Sequence, residues 1–193
     1  MPEEELSKRI KELRDKGLGV QEIASELHLS TETVEYYLSE EVKGRPTDVK
    51  IGWKSIGVFP QRIYNIAAIM ADIVEEEAEK REFSVDGVVG IAINGIPFAL
   101  YVAEILGAEL IVYRPHPRRR EGLFSSNYAT PSSKNLVLVD DVFSTGETIG
   151  KAIRDIREEG GQVHLVVVLV NKTLKDEVEG VPLRSLVRAR LVV

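Results

Sequence analysis

Between residues 136 and 148 the chain reads Leu-Val-Leu-Val-Asp-Asp-Val-Phe-Ser-Thr-Gly-Glu-Thr, and few folds accommodate that order of residue types. Leu136 to Val139 are uniformly apolar, as in a strand buried on both faces. Asp140 and Asp141 follow where such a strand would leave its sheet, and ligands of open α/β sheets bind outside those carboxyl ends. Ser144, Thr145 and Gly146 then bring hydroxyls and a flexible backbone to the mouth of a helix, with Glu147 and Thr148 completing the expected loop. Unpaired N–H groups and the dipole at a helix start favour a phosphate dianion. Acids beside a phosphate cradle make sense when the ligand carries both phosphate and neighbouring hydroxyls, because carboxylates accept hydrogen bonds from hydroxyls. A ribose 5-phosphate has that make-up. The plainer alternative is a strand-to-helix turn with a hydroxyl cap and two surface acids.

Two textures meet near residue 44. Before it the pattern is helical: Leu6, Ile10 and Leu13 share one face, Gly17 and Gly19 interrupt, and Ile23, Ala24 and Leu27 mark a second helix. After a turn at His28-Leu29, Ser30 suits the N-cap of a third helix with Val34, Tyr37 and Leu38 inward, ended by Gly44-Arg45-Pro46. A small hairpin is expected over residues 48–57. From Pro60 a long helix carries Ile63, Ile66, Ala67, Met70, Ile73 and Val74 on one face, and its charged continuation, residues 75–82, is expected to be a solvated end. Strands are expected at residues 88–93, 110–113, 136–139 and 163–170, and helices at 97–106 and 149–159. A turn falls at Asn94-Gly95 and a long polar loop at 114–134. Alternating strands and helices, with continuous apolar strands, predict an α/β fold with a parallel sheet covered on both faces. There is no internal repeat.

Composition closes off several classes. The 193 residues include no cysteine, which excludes disulfides, thiolate zinc sites, iron–sulfur clusters and a cysteine nucleophile. His28, His116 and His164 fall on separate elements, so no protein metal site is expected. The net charge of −6 argues against a generally basic coat for nucleic acid, and any such partner needs a local positive patch. No apolar run approaches the ~18 residues of a membrane span. The acidic start at Glu3-Glu4-Glu5 is unlike a secretory signal, and a cytoplasmic location without membrane association is expected.

The segment at residues 136–148 resembles the phosphoribosyl-pyrophosphate (PRPP) motif of the type I phosphoribosyltransferases. The resemblance implies that Asp140 and Asp141 hold the ribose 2′ and 3′ hydroxyls and that Ser144, Thr145, Gly146, Glu147 and Thr148 surround the 5′-phosphate. About 45 residues earlier, Gly90-Ile91-Ala92-Ile93-Asn94-Gly95-Ile96-Pro97 is similar to the same family's pyrophosphate loop, with Asn94 and Gly95 at its turn. Arg114 stands where the orotate branch has an arginine. Pro115 replaces the lysine usual beside it, and no lysine occurs between Lys80 and Lys134. That departure weighs against turnover and leaves the expectation of PRPP binding in place. Arg118, Arg119 and Arg120 can clamp phosphate or lie solvated. Lys54-Ser55-Ile56-Gly57 loosely echoes a Lys-Ser-Gly element of the orotate enzymes, and nothing names a nucleobase.

Residues 20–39 fit helix-turn-helix spacing, with Ile23, Ala24, Leu27, Leu29, Val34 and Tyr37 at the buried positions. Ser30, Thr31, Glu32, Glu35 and Tyr36 would then face DNA. Residues 1–43 hold six basic and eleven acidic side chains, a net of −5 that opposes strong independent DNA binding. Residues 44–62 hold four basic and one acidic, a net of +3, and Arg45 and Lys50 are candidates for a wing that touches the backbone. A three-helix dimerisation or capping domain is the alternative.

Together, the two regions resemble the archaeal phosphoribosyltransferase-like transcriptional regulators, whose loop before the PRPP strand reads much like residues 122–129. The expectation is a candidate winged helix-turn-helix over residues 1–55 and a phosphoribosyltransferase-like domain over 56–193. It implies a homodimeric regulator that binds a pseudo-palindromic DNA site and senses PRPP, or a related phosphoribosyl ligand, with Mg2+. The alternative is an active orotate-type phosphoribosyltransferase with the helices as an accessory.

Overall fold

The computed structural model describes residues 3–39, 48–115 and 123–190. The chain divides into two compact units, one comprising residues 1–52 and 189–193 and the other residues 53–188.

The smaller unit is built from α1 (Glu3–Asp15), α2 (Val20–Leu27) and α3 (Thr31–Leu38). Ile10, Leu13, Ile23, Ala24, Leu27, Leu29 and Val34 form its core, with Leu6, Tyr37 and Leu38 partly buried against it. The Glu22 carboxylate accepts the Gly19 N–H at 2.6 Å and so closes the start of α2. His28 ends α2 in the left-handed region at φ 53°, and the Leu29 N–H bonds back to the Ala24 carbonyl at 2.9 Å. Ser30 is the N-cap of α3: its Oγ accepts the Thr33 N–H at 3.1 Å. Its own N–H donates to Asp48 Oδ2 at 2.6 Å, and the Thr33 hydroxyl reaches the same oxygen at 3.2 Å. A carboxylate at a helix start is favoured by the dipole, so Asp48 fastens the chain beyond α3 back onto that helix's beginning.

This capture bears on the expected hairpin, which is absent. Residues 48–53 carry no strand, and residues Lys54–Gly57 form a single helical turn, α4. Asp48 is committed to α3, and the Trp53 carbonyl accepts from both Ile56 N–H at 2.8 Å and Gly57 N–H at 3.1 Å. Those bonds curl the backbone that a hairpin would need extended. The helix end expected at residues 44–46 lies outside the described residues, and α3 stops at Leu38.

The larger unit continues with α5 (Pro60–Arg81), β1 (Gly87–Ile91), α6 (Gly95–Leu106), β2 (Glu109–Arg114) and the two-residue β3 (Leu123–Phe124). It ends with β4 (Asn135–Phe143), α7 (Glu147–Glu158), β5 (Gln162–Asn171), β6 (Glu177–Val178) and β7 (Val181–Arg188). The sheet order is β3-β2-β1-β4-β5-β7-β6. The five inner strands are parallel, and β3 and β6 are antiparallel edge pieces, so the sheet is mixed. The long loop therefore contains β3, after which Ser125 N–H and Ala129 N–H bond the Val112 and Leu110 carbonyls of β2 at 3.0 and 3.1 Å. On one face Val89, Ile91, Leu136, Leu138, Val166 and Val168 pack with Ile149, Ile153 and Ile156 of α7. On the other, Gly90 admits α6: a Cβ there would lie 2.8 Å from that of Ala99.

The charged end of α5 is not simply solvated. Glu77 is only 2 % exposed and accepts from Arg81 Nε at 2.6 Å and from Arg184 Nε and Nη2, on β7, at 2.9 and 2.5 Å. Burial pushes its carboxyl up, but the two guanidiniums outweigh this and hold it below its ordinary value. Tyr113 donates to Asp155 at 2.7 Å inside the core, fixing β2 to α7.

Candidate functional site

Because β2, β1 and β4 are parallel neighbours, their carboxyl ends fall side by side, and each delivers one expected ligand segment. β1 ends at Ile91, the Ala92 N–H is held by the Tyr113 carbonyl at 2.8 Å, and the Ala92–Ile93 peptide is cis. Asn94 and Gly95 then open α6. Gly95 lies directly on the end of β4: a Cβ there would be 2.6 Å from the Val139 carbonyl and 3.0 Å from Asp140 Oδ1. Only glycine fits that approach. The loop at Asn94-Gly95 and the acid pair, well separated in sequence, thus meet. Arg114 is the exposed last residue of β2 at the same edge. Arg118, Arg119 and Arg120 lie outside the described residues.

β4 runs further than its apolar core, through both acids to Phe143, because its pairing with β5 continues to Phe143–Asn171. Asp140 and Asp141 are 9 % and 5 % exposed. The Asp141 N–H donates to Asp140 Oδ1 at 2.9 Å, and the Val142 N–H to Asp141 Oδ1 at 2.9 Å. Burial, and then the adjacent Asp141 charge, push the Asp140 carboxyl well above the usual carboxylate range. A proton on one member lowers the cost of burying the pair.

The remaining oxygen, Asp141 Oδ2, accepts the indole N–H of Trp53 at 2.8 Å. That ring rests on Phe98 with centroids 5.4 Å apart. Trp53 is not among the expected site residues. Nothing local marks it, since the contact spans 88 positions.

Ser144, Thr145 and Gly146 make the turn into α7. Gly146 has φ 88°, and a Cβ at that position would lie 2.8 Å from the Phe143 ring, which leaves no room for a side chain. Thr145 Oγ1 accepts the Glu147 N–H at 3.3 Å, and the Gly146 carbonyl takes the first helical bond, from Gly150 N–H at 2.7 Å. The helix begins at Glu147, not at residue 149, so Glu147 and Thr148 sit in its exposed first turn. Among the described residues no group of three or more His, Asp or Glu side chains could hold a metal ion, and no helix is long and apolar enough to cross a membrane.

In the smaller unit, Glu32 and Glu35 are exposed on α3 while Thr31 and Tyr36 are half-buried. Tyr36 packs edge-on to Tyr37 at 5.2 Å. Ser30 is engaged as a cap, Lys50 is exposed, and Arg45 lies outside the described residues.

Comparisons with known proteins agree across the chain. Residues 52–187 match the family model described as a phosphoribosyl transferase domain. A protein of Thermoplasma acidophilum named transcriptional regulator GfcR is 52% identical over 98% of this chain and 96% of its own. Its namesake from Picrophilus torridus is 49% identical over 98% of both chains. Among solved structures, orotate phosphoribosyltransferase from Aeropyrum pernix superposes with a TM-score of 0.57 at 26% identity, covering 75% of this chain and 81% of that one.

Proposed function

Because the chain belongs to the GfcR transcriptional regulators and carries a phosphoribosyl transferase domain, we propose that it is a DNA-binding regulator whose larger unit senses PRPP or a related phosphoribosyl ligand. The observation that supports this best is the seating of Gly95 against Asp140, which brings a diphosphate-type loop over a diol-type acid pair. In this reading Asp140 and Asp141 engage the ribose hydroxyls. Ser144, Thr145, Gly146, Glu147 and Thr148 surround the 5′-phosphate at the start of α7. Asn94 and Gly95 meet the diphosphate, and Arg114 contributes positive charge at its edge. Mg2+ bound with the ligand would supply further positive charge to offset the diphosphate.

DNA is met by α3 through Thr31, Glu32, Glu35 and Tyr36, helped by Lys50 and Arg45. Ser30 sets the start of that helix. A homodimer with two such heads reads a pseudo-palindromic site. Ligand changes DNA affinity by as much as its own affinity differs between the DNA-competent and incompetent arrangements. The cell compartment is the cytoplasm.

Calorimetry with Mg2+–PRPP, a pyrophosphate-release assay with a panel of nucleobases, and DNA binding with and without PRPP test this reading. The expected result is PRPP binding without base-dependent release, together with a changed DNA affinity. Base-dependent release at enzymatic rates would instead make the protein an orotate-type transferase.

A further inference from the structure

We infer that Trp53 occupies the diol-binding acid as an internal stand-in for a ligand hydroxyl, and that exchange of the two carries ligand occupancy to the chain entering the smaller unit. This rests on the reading of the acid pair as a sugar-binding site.

Asp141 is 5 % exposed, so a ligand hydroxyl reaches it only if something moves. Its two oxygens are covered differently. Oδ1 accepts the N–H of Val142, the next residue in the same strand, and that bond is fixed by the backbone. Oδ2 accepts a side-chain donor from another element, the Trp53 indole, at 2.8 Å. An indole N–H can only donate, and a sugar hydroxyl donating to the same carboxylate makes an equivalent bond. Substitution therefore leaves the acid satisfied throughout.

The element that carries Trp53 is suited to moving. α4 is one turn with no buried residue. Trp53 is its inward anchor, half-buried on Phe98 and packed against Gly57, while Arg62 holds the Ser55 carbonyl at its outer side. Short elements with few buried contacts open at low cost. Trp53 also follows directly on Gly52, where the chain leaves the smaller unit. Release of the indole thus frees the first residue after that junction, and ligand binding and release of the junction become one event.

Trp53 is the single tryptophan of the chain, so the full-length protein reports on itself. Mg2+–PRPP and ribose 5-phosphate are titrated with calorimetry and tryptophan emission followed in parallel. The expected result is a red shift of emission, as the indole passes into water, with the calorimetric midpoint. Trp53→Phe keeps the ring on Phe98 and removes the competing donor. It should bind about tenfold more tightly, the equivalent of about 1.4 kcal/mol. Emission unchanged at calorimetric saturation, or an unaltered affinity in Trp53→Phe, overturns the exchange and leaves the sugar-site reading standing. No heat of binding with either probe, in wild type and variant alike, overturns both.

Discussion

Glu77, near the end of α5, accepts two hydrogen bonds from Arg184 on β7, 107 positions away in the sequence. This pair, with Arg81, joins the longest helix of the larger unit to its last parallel strand. Removing one member of a buried pair leaves the other without its partner, which costs about 3–5 kcal/mol for fully buried groups. Both arginines are partly exposed, so Glu77→Ala should cost less, about 2 kcal/mol. Urea denaturation followed by circular dichroism reads this directly.

The same carboxyl gives a pH dependence. Its folded-state value lies below the ordinary 4.5, so the unfolded chain takes up its proton first as pH falls. The stabilisation is complete above pH 4.5 and is lost as pH drops through the lower folded-state value. In Glu77→Gln this acid-side loss should shrink, as measured by melting temperature against pH.

His164 stacks on Phe83 at 4.6 Å, and its Nε2 lies 2.9 Å from Asn135 Oδ1. Burial holds the imidazole below its ordinary 6.5, against the opposing pull of Asp86. Below pH 6.5 the unfolded state therefore gains a proton that the folded state resists, and stability should fall until pH reaches the folded value. His164→Phe should remove this component, and imidazole resonances followed by NMR across the range should titrate below 6.5.

Gly95→Ala places a methyl 2.6 Å from the Val139 carbonyl. The loop or the end of β4 must shift, at a cost of about 1–3 kcal/mol. PRPP affinity measured by calorimetry should fall at least about tenfold, since that shift separates the two halves of the site.

Ser30→Ala removes the side-chain cap of α3, while Asp48 still accepts the residue 30 N–H. Loss of a serine cap costs about 1 kcal/mol. A drop of that size in the melting transition, with weakened DNA binding, is the expected outcome.

The strand, acid pair and hydroxyl-glycine turn are legible in the sequence because each is a local pattern: an apolar run, then charges, then a helix start. The three N-terminal helices are legible by periodicity, and Ser30 by its capping chemistry. Glu77 is not read correctly: residues 75–82 look like a solvated end, and although 77 continues the spacing of 63, 67, 70 and 74, a carboxylate there makes sense only with Arg184 in place. Trp53 and Asp48 escape a sequence reading for a related reason, since both are defined by what they reach across the fold. The hairpin expected over residues 48–57 is absent because the local sequence says nothing of Asp48's bond to α3. The last parallel strand, β7, goes unread because only Val181 and Leu183 of its eight residues are buried, and Pro182 interrupts its pattern.

The strip after β3 has a consequence for how this protein behaves in a crowded solution. Leu110 and Val112 on β2 would otherwise offer carbonyls to any extended chain that came alongside, which is how sheets from different molecules fuse into aggregates. Ser125 and Ala129 already occupy those acceptors. The polar stretch after β3 works as a selvedge along this one border of the sheet, taking up acceptors that a neighbouring strand would otherwise use.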